Sequence, residues 1–98
     1  MASTNTYVLT FRNASDRQVS EAEGQAWMDW FGEIGSAIVE LGSRVGQTSS
    51  LGAAPTGSVV TGYTIIRAAD LEAAVLLAKG CPGLKQGGAV EVGELVTM

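Results

Sequence analysis

The stretch from residue 59 to residue 95 constrains the fold of this 98-residue chain more than any other. Val59-Val60-Thr61-Gly62-Tyr63-Thr64-Ile65-Ile66-Arg67 is dense in β-branched and aromatic residues and predicts a strand. Asp70 stands where an N-cap belongs, and residues 71–79 follow with high helix propensity and an apolar stripe of Leu71, Ala74, Val75 and Ala78. Gly80 is placed as the C′ residue of that helix, and Pro82 forbids its continuation. Residues 89–95 then alternate apolar and polar as a last strand. Strand, capped helix and strand in so short a span form half of a two-layer α+β domain.

The first half has the same plan. Thr6-Tyr7-Val8-Leu9-Thr10-Phe11-Arg12 predicts a strand with Tyr7, Leu9 and Phe11 on one face and Thr6, Val8, Thr10 and Arg12 on the other. Asn13-Ala14-Ser15-Asp16 supplies turn chemistry; its fit to a glycosylation acceptor is read as a turn, because the start of the chain lacks the pattern of a secretory leader. Ser20 and Glu23 have the spacing of a capping box. Beyond it Trp27, Phe31, Ile34 and Ile38 recur at helical spacing with Trp30 beside them, while Asp29 and Glu33 fall on the wetter side. Gly24, Gly32 and Gly35 each lower helicity by about 1 kcal/mol, so packing must hold this helix. Residues 43–48 are assigned as a short strand, and residues 49–58 form a loop by composition, either a lid over a pocket or a mobile connection. The order is β-α-β-β-α-β: a ferredoxin-like, four-stranded antiparallel sheet with two helices on one face, in one domain spanning 1–98.

Two short helices cover one face of such a sheet. The other face also carries bulk, with Val8 on the first strand and Tyr63 and Ile65 opposed by Ile66 on the third. A second copy of the chain is the simplest cover, with two sheets packed back to back or closed into a barrel. The expectation is a homodimer.

Composition removes whole classes of function. A net charge of −4 offers no basic footprint for nucleic acid. The longest apolar run is far too short to span a membrane, and with no leader the expected location is the cytoplasm. The chain has no histidine, so the commonest general base and metal ligand are missing, and its single cysteine makes neither a disulfide nor a zinc site. Asp16, Glu21 and Glu23 lack a calcium-loop pattern, and neither Gly87-Gly88 nor Gly42-x-x-x-Gly46 opens a helix as a phosphate loop does. No metal and no cofactor is expected.

Taken in order, Gly62-Tyr63-Thr64-Ile65-Ile66, Ala69-Asp70-Leu71-Glu72-Ala73-Ala74, Cys81-Pro82 and Gly87-Gly88-Ala89-Val90-Glu91-Val92 resemble the C-terminal half of YCII-related (DGPF-domain) proteins. The helical Trp27-Met28-Asp29-Trp30-Phe31-Gly32-Glu33-Ile34-Gly35 is similar to that family's first helix, so the resemblance covers nearly the whole chain. It implies a dimeric α/β barrel with a cleft between sheet and partner subunit. Most members of the family have no assigned biochemistry; some resemble hydrolases that use a His–Asp pair, and others are linked to sigma factors. Here Val59-Val60-Thr61-Gly62 replaces the Asp-Gly-Pro-Phe lead-in, and with no histidine the acid/base pair has no counterpart.

The candidate site residues follow from chemistry. Glu91, between two valines on a strand expected to be central, is either a desolvated base, a carboxylate paired with Arg12 or Arg67 across the sheet, or a simply solvated one. Arg12, Arg44 and Arg67 suit a small anionic ligand, or else ion pairs at strand ends. Tyr63 offers a hydroxyl to a ligand or packs its ring in the core. Trp27 and Trp30 either wall a pocket or anchor the core, and Cys81 reads as an inert structural thiol. The leading expectation is a small-molecule-binding dimer. The competing ones are a cofactor-independent lyase, isomerase or oxygenase relying on Glu91 and Tyr63, and a non-catalytic regulatory or scaffolding dimer.

Overall fold

A computed structural model describes residues 4–15 and 18–96; Asp16 of the expected turn, and the start of the chain through Ser3, lie outside them. The elements are β1 (Asn5–Asn13), α1 (Glu21–Glu33), a 3-10 turn (Gly35–Ala37), β2 (Ile38–Glu40), β3 (Val59–Ala68), α2 (Leu71–Ala78), a second 3-10 turn (Pro82–Lys85) and β4 (Ala89–Glu94). They build an antiparallel sheet in the order β2-β3-β1-β4, with the element order β-α-β-β-α-β of a ferredoxin-like fold.

Register decides which side chains share a face. β1 pairs with β3 so that Tyr7, Leu9 and Phe11 stand opposite Ile66, Thr64 and Gly62, and with β4 so that Leu9 and Phe11 stand opposite Val92 and Val90. This face is the core: Tyr7, Leu9, Phe11 and Ile66 are buried against Trp30, Ile34, Ala74 and Ala78. Two alanines at the contact keep α2 close to the sheet, and the aromatic side chains of α1 fill the wider space on its own side. Phe11, Trp27, Trp30 and Phe31 meet at centroid distances of 4.9 to 6.0 Å, mostly edge to face, an arrangement worth about 0.5–1.5 kcal/mol per pair beyond burial. Each indole N–H ties α1 to a neighbour: Trp27 Nε1 donates to Gln86 Oε1 (3.0 Å) and Trp30 Nε1 to the Leu77 carbonyl (3.2 Å).

Both expected helix starts form. The Ser20 hydroxyl accepts from Glu23 N (3.2 Å) while Glu23 Oε1 accepts from Ser20 N (3.0 Å), and Asp70 Oδ1 accepts from Ala73 N (2.8 Å).

Four local expectations need correction. α1 stops at Glu33, so Ile38 is not on its stripe; after Ile34 drops into the core a 3-10 turn carries the chain to β2, where Ile38 pairs with Ile66. A β-branched residue just after weak helix formers gains more from strand pairing than from another helical turn. The expected strand over 43–48 reduces to a single bridge, Arg44 to Gly62. Leu71 of the α2 stripe is half exposed. Gly80 does follow the Lys79 C-cap as the C′ residue but is not in the left-handed region; a β-carbon there would sit 3.0 Å from Trp30 Nε1, so glycine is needed for the approach of that indole.

Candidate functional site

A cleft of about 490 Å³ opens on the helix side of the sheet between α1 and the start of β3. Phe11 and Gly62 from adjacent strands contribute to its floor, and Trp27, Met28 and Phe31 line it from α1. Its far wall is the segment 41–44, which runs beside β3 without being a regular strand. Three interactions hold that segment in place: Tyr63 N donates to the Ser43 carbonyl (3.2 Å), Val45 N to the Thr61 carbonyl (2.9 Å), and the fully buried Thr64 hydroxyl to the Leu41 carbonyl (2.8 Å). Gly42 makes the close approach possible: its φ is +80°, and a β-carbon would collide with the Tyr63 carbonyl oxygen. Arg44, Ser43, Thr61, Thr64 and Tyr63 are the polar residues in an otherwise aromatic and aliphatic lining. Such a volume and such a lining suit a small molecule with a flat apolar body and a polar end.

The five candidate side chains divide into three places. Arg44 and Tyr63 both border the cleft. Arg12 and Glu91 lie on the opposite, helix-free face, where Arg12 Nε is 3.9 Å from Glu91 Oε1. Arg67 is exposed, paired in register with Thr6 toward the other end of β3. Glu91 is not on a central strand: β4 is an edge of the sheet, and the carboxylate is 68 % exposed. Tyr63, Thr10 and Glu91 do stand abreast on the helix-free face, since Thr10 is in register with both. The two tryptophans take different roles, Trp27 lining the cleft and Trp30 buried beneath it.

Cys81 is buried, and burial pushes its thiol above the ordinary value against the opposing pull of backbone hydrogen bonds from Gly83 and Leu84. This is the environment of an inert thiol. Among the described residues no three Cys, Asp or Glu side chains gather as metal ligands would, and no helix is long and apolar enough to cross a membrane.

Sequence reasoning missed Phe11, Met28, Phe31 and Leu41 as cleft residues. Their spacing signals a core face, and nothing local reveals that 41–44 stands off from α1 and leaves a gap. Comparison with family models and with curated proteins finds no match.

Proposed function

We propose that this protein is a cytoplasmic homodimer of the YCII-related type that binds a small organic molecule in the cleft between α1 and β3. The observation that carries the reading is the cleft itself: about 490 Å³, with Phe11, Trp27 and Phe31 on its apolar walls and Arg44 at its edge. A flat, largely apolar molecule with one anionic group fits these walls, its ring against the aromatics and its charge toward the guanidinium. Dimerisation through the helix-free face is supported by Val8, Tyr63 and Ile65, which the chain's own packing leaves only half-buried.

Titration with 2-naphthoate, followed by tryptophan fluorescence and thermal unfolding, tests the binding claim. A ligand at 100 times its Kd adds about 2.7 kcal/mol, or roughly 10–20 °C for a domain of this size. Gly24→Leu is the control: Gly24 borders the cleft and a β-carbon there meets nothing within 4 Å, so leucine fills the space and abolishes binding while the helix is retained. Unmoved fluorescence and melting across flat aromatic acids would refute binding and leave the scaffolding dimer. Light scattering that gives a monomer at micromolar concentration would refute the dimer. A second reading, a cofactor-independent lyase, isomerase or oxygenase, draws support from the row Tyr63, Thr10 and Glu91 on the helix-free face. That chemistry would belong to a cleft between subunits, and Glu91→Gln, which lies outside the aromatic cleft, would abolish turnover without touching 2-naphthoate binding.

A further inference from the structure

A second, smaller cavity of about 300 Å³ lies against β1 and the start of β3, beneath the segment 48–55. It is formed wholly by one chain and is independent of the aromatic cleft. Arg12 borders it together with the hydroxyl-bearing Thr48, Ser49 and Ser50 and the half-buried Ala54, Val59 and Val60.

Arg12 is held in an unusual way for a strand arginine. Its side chain is only 16 % exposed. Nε donates to Ser58 Oγ (3.2 Å) and Nη2 to the Ser58 carbonyl (3.0 Å), so the side-on edge of the guanidinium is occupied and the group is fixed in orientation. The loose contact with Glu91, 3.9 Å from Nε, falls on that same edge and comes from a carboxylate that is itself 68 % exposed. The end-on edge, made by Nη1 and the second Nη2 proton, has no hydrogen-bond acceptor among the described residues. Arg12 also sits at a β-bulge, where the register with β3 slips between Phe11 and Arg12, and bulges are a recurrent means of re-aiming a side chain beside a binding site.

We infer that this cavity is a binding site for a small carboxylate with a short apolar body, received end-on by the guanidinium of Arg12. The two parallel N–H groups of the free edge match two coplanar carboxylate oxygens. Thr48, Ser49 and Ser50 supply hydroxyl donors, and the half-buried Ala54, Val59 and Val60 supply the apolar wall that an inorganic anion would not use. The volume stands at the lower limit of the ~300–1,000 Å³ typical of small-molecule sites, which restricts the ligand to a few carbons.

The test is an amide-resolved NMR titration of the whole chain with isobutyrate, inorganic phosphate and chloride at matched ionic strength. Saturable shifts confined to Thr48, Ser49, Ser50, Ser58 and Val60 are expected with isobutyrate, with Trp27 unmoved. Arg12→Lys keeps the charge and loses the fork, and should weaken binding about tenfold or more. Because Arg12 also braces Ser58, a second variant, Thr48→Val with Ser50→Ala, alters only exposed loop positions; it should weaken isobutyrate at least about threefold with unchanged melting. The site is refuted if isobutyrate gives no saturable shift up to about 100 mM, a limit that would detect a Kd of about 10 mM. Shifts that chloride reproduces, or that Arg12→Lys retains in full, refute it as well. Phosphate binding as tightly as isobutyrate would overturn the carboxylate assignment. Loss of 2-naphthoate binding at the aromatic cleft has no bearing on these shifts, so the two sites fail separately.

Discussion

Thr64→Val isolates one hydrogen bond that holds the wall of the cleft. Thr64 is fully buried on the core face of β3, and its hydroxyl reaches the Leu41 carbonyl at 2.8 Å. Valine keeps the β-branch and nearly the volume, so the substitution removes a donor and leaves the shape. Loss of a net hydrogen bond costs about 0.5–1.5 kcal/mol, and a buried acceptor left unpaired costs about 1–3 kcal/mol. Leu41 is 55 % exposed, so its carbonyl can reach water if the segment lifts, which places the expected loss near 1 kcal/mol. With a urea dependence of about 1–1.5 kcal/mol/M for a small domain, the unfolding midpoint should fall by about 0.7–1 M. The loss is local first: only the pairs Tyr63 N to Ser43 and Val45 N to Thr61 then keep the segment on the sheet. Amide exchange at Val45 should accelerate about fivefold, while exchange at Leu9 rises only by the global amount. Thr64→Ser, which keeps the hydroxyl, should preserve Val45 protection even though it loses a methyl group. If Thr64→Val matches the parent in midpoint and in Val45 exchange, this bond does not hold the wall, and the account of how the cleft stays open is wrong.

Other substitutions probe the fold and the thiol. Gly32→Ala on exposed α1, where a β-carbon meets nothing within 4 Å, should stabilise by about 1 kcal/mol and raise the melting temperature by about 4–8 °C; no change would refute a purely helical cost at this position. Gly42→Ala combines a positive φ with a collision against Tyr63 and should cost about 2 kcal/mol or more in urea unfolding, with Val45 exchange released. Cys81 should react with a thiol reagent at neutral pH far more slowly than in urea. Its raised pKa has a definite sign in the stability profile: the unfolded thiol ionises first, so the contribution is complete below about pH 8.5 and is lost as pH rises through the folded value. Cys81→Ala should remove that part of the alkaline decline, and parallel profiles for the two proteins would contradict the burial argument.

Much of the fold is legible because its signals are local. Period-two patterns with β-branched residues mark β1, β3 and β4, and the two caps declare themselves by a single spacing each. The misreadings occur where a distant partner decides. Ile38 matches the helical period of Ile34 yet is claimed by Ile66 across the sheet. Gly80 follows a helix as a C′ glycine does, but its cause is the indole of Trp30, fifty residues earlier in the chain. The candidate site was legible in its residue types and not in its assembly. Pairing of Glu91 with Arg12 was among the alternatives, whereas the division of Arg12 and Arg44 between two cavities depends on the register of β1 and on the course of 41–44, neither of which has a periodic signature.

The sheet order also sets a schedule for folding. β1, the earliest strand of the chain, lies between β3 and β4, the two latest. Its three core side chains, Tyr7, Leu9 and Phe11, therefore find no strand partner until a long connection has closed on each side. Loop closure must precede the contacts that reward it, so this topology folds slowly for its size, and an early chain exposes an apolar, unpaired strand open to the wrong neighbour. The capped α1, which carries Trp27, Trp30 and Phe31, is the next element of the chain and covers part of the core face of β1 while the rest of the sheet is awaited.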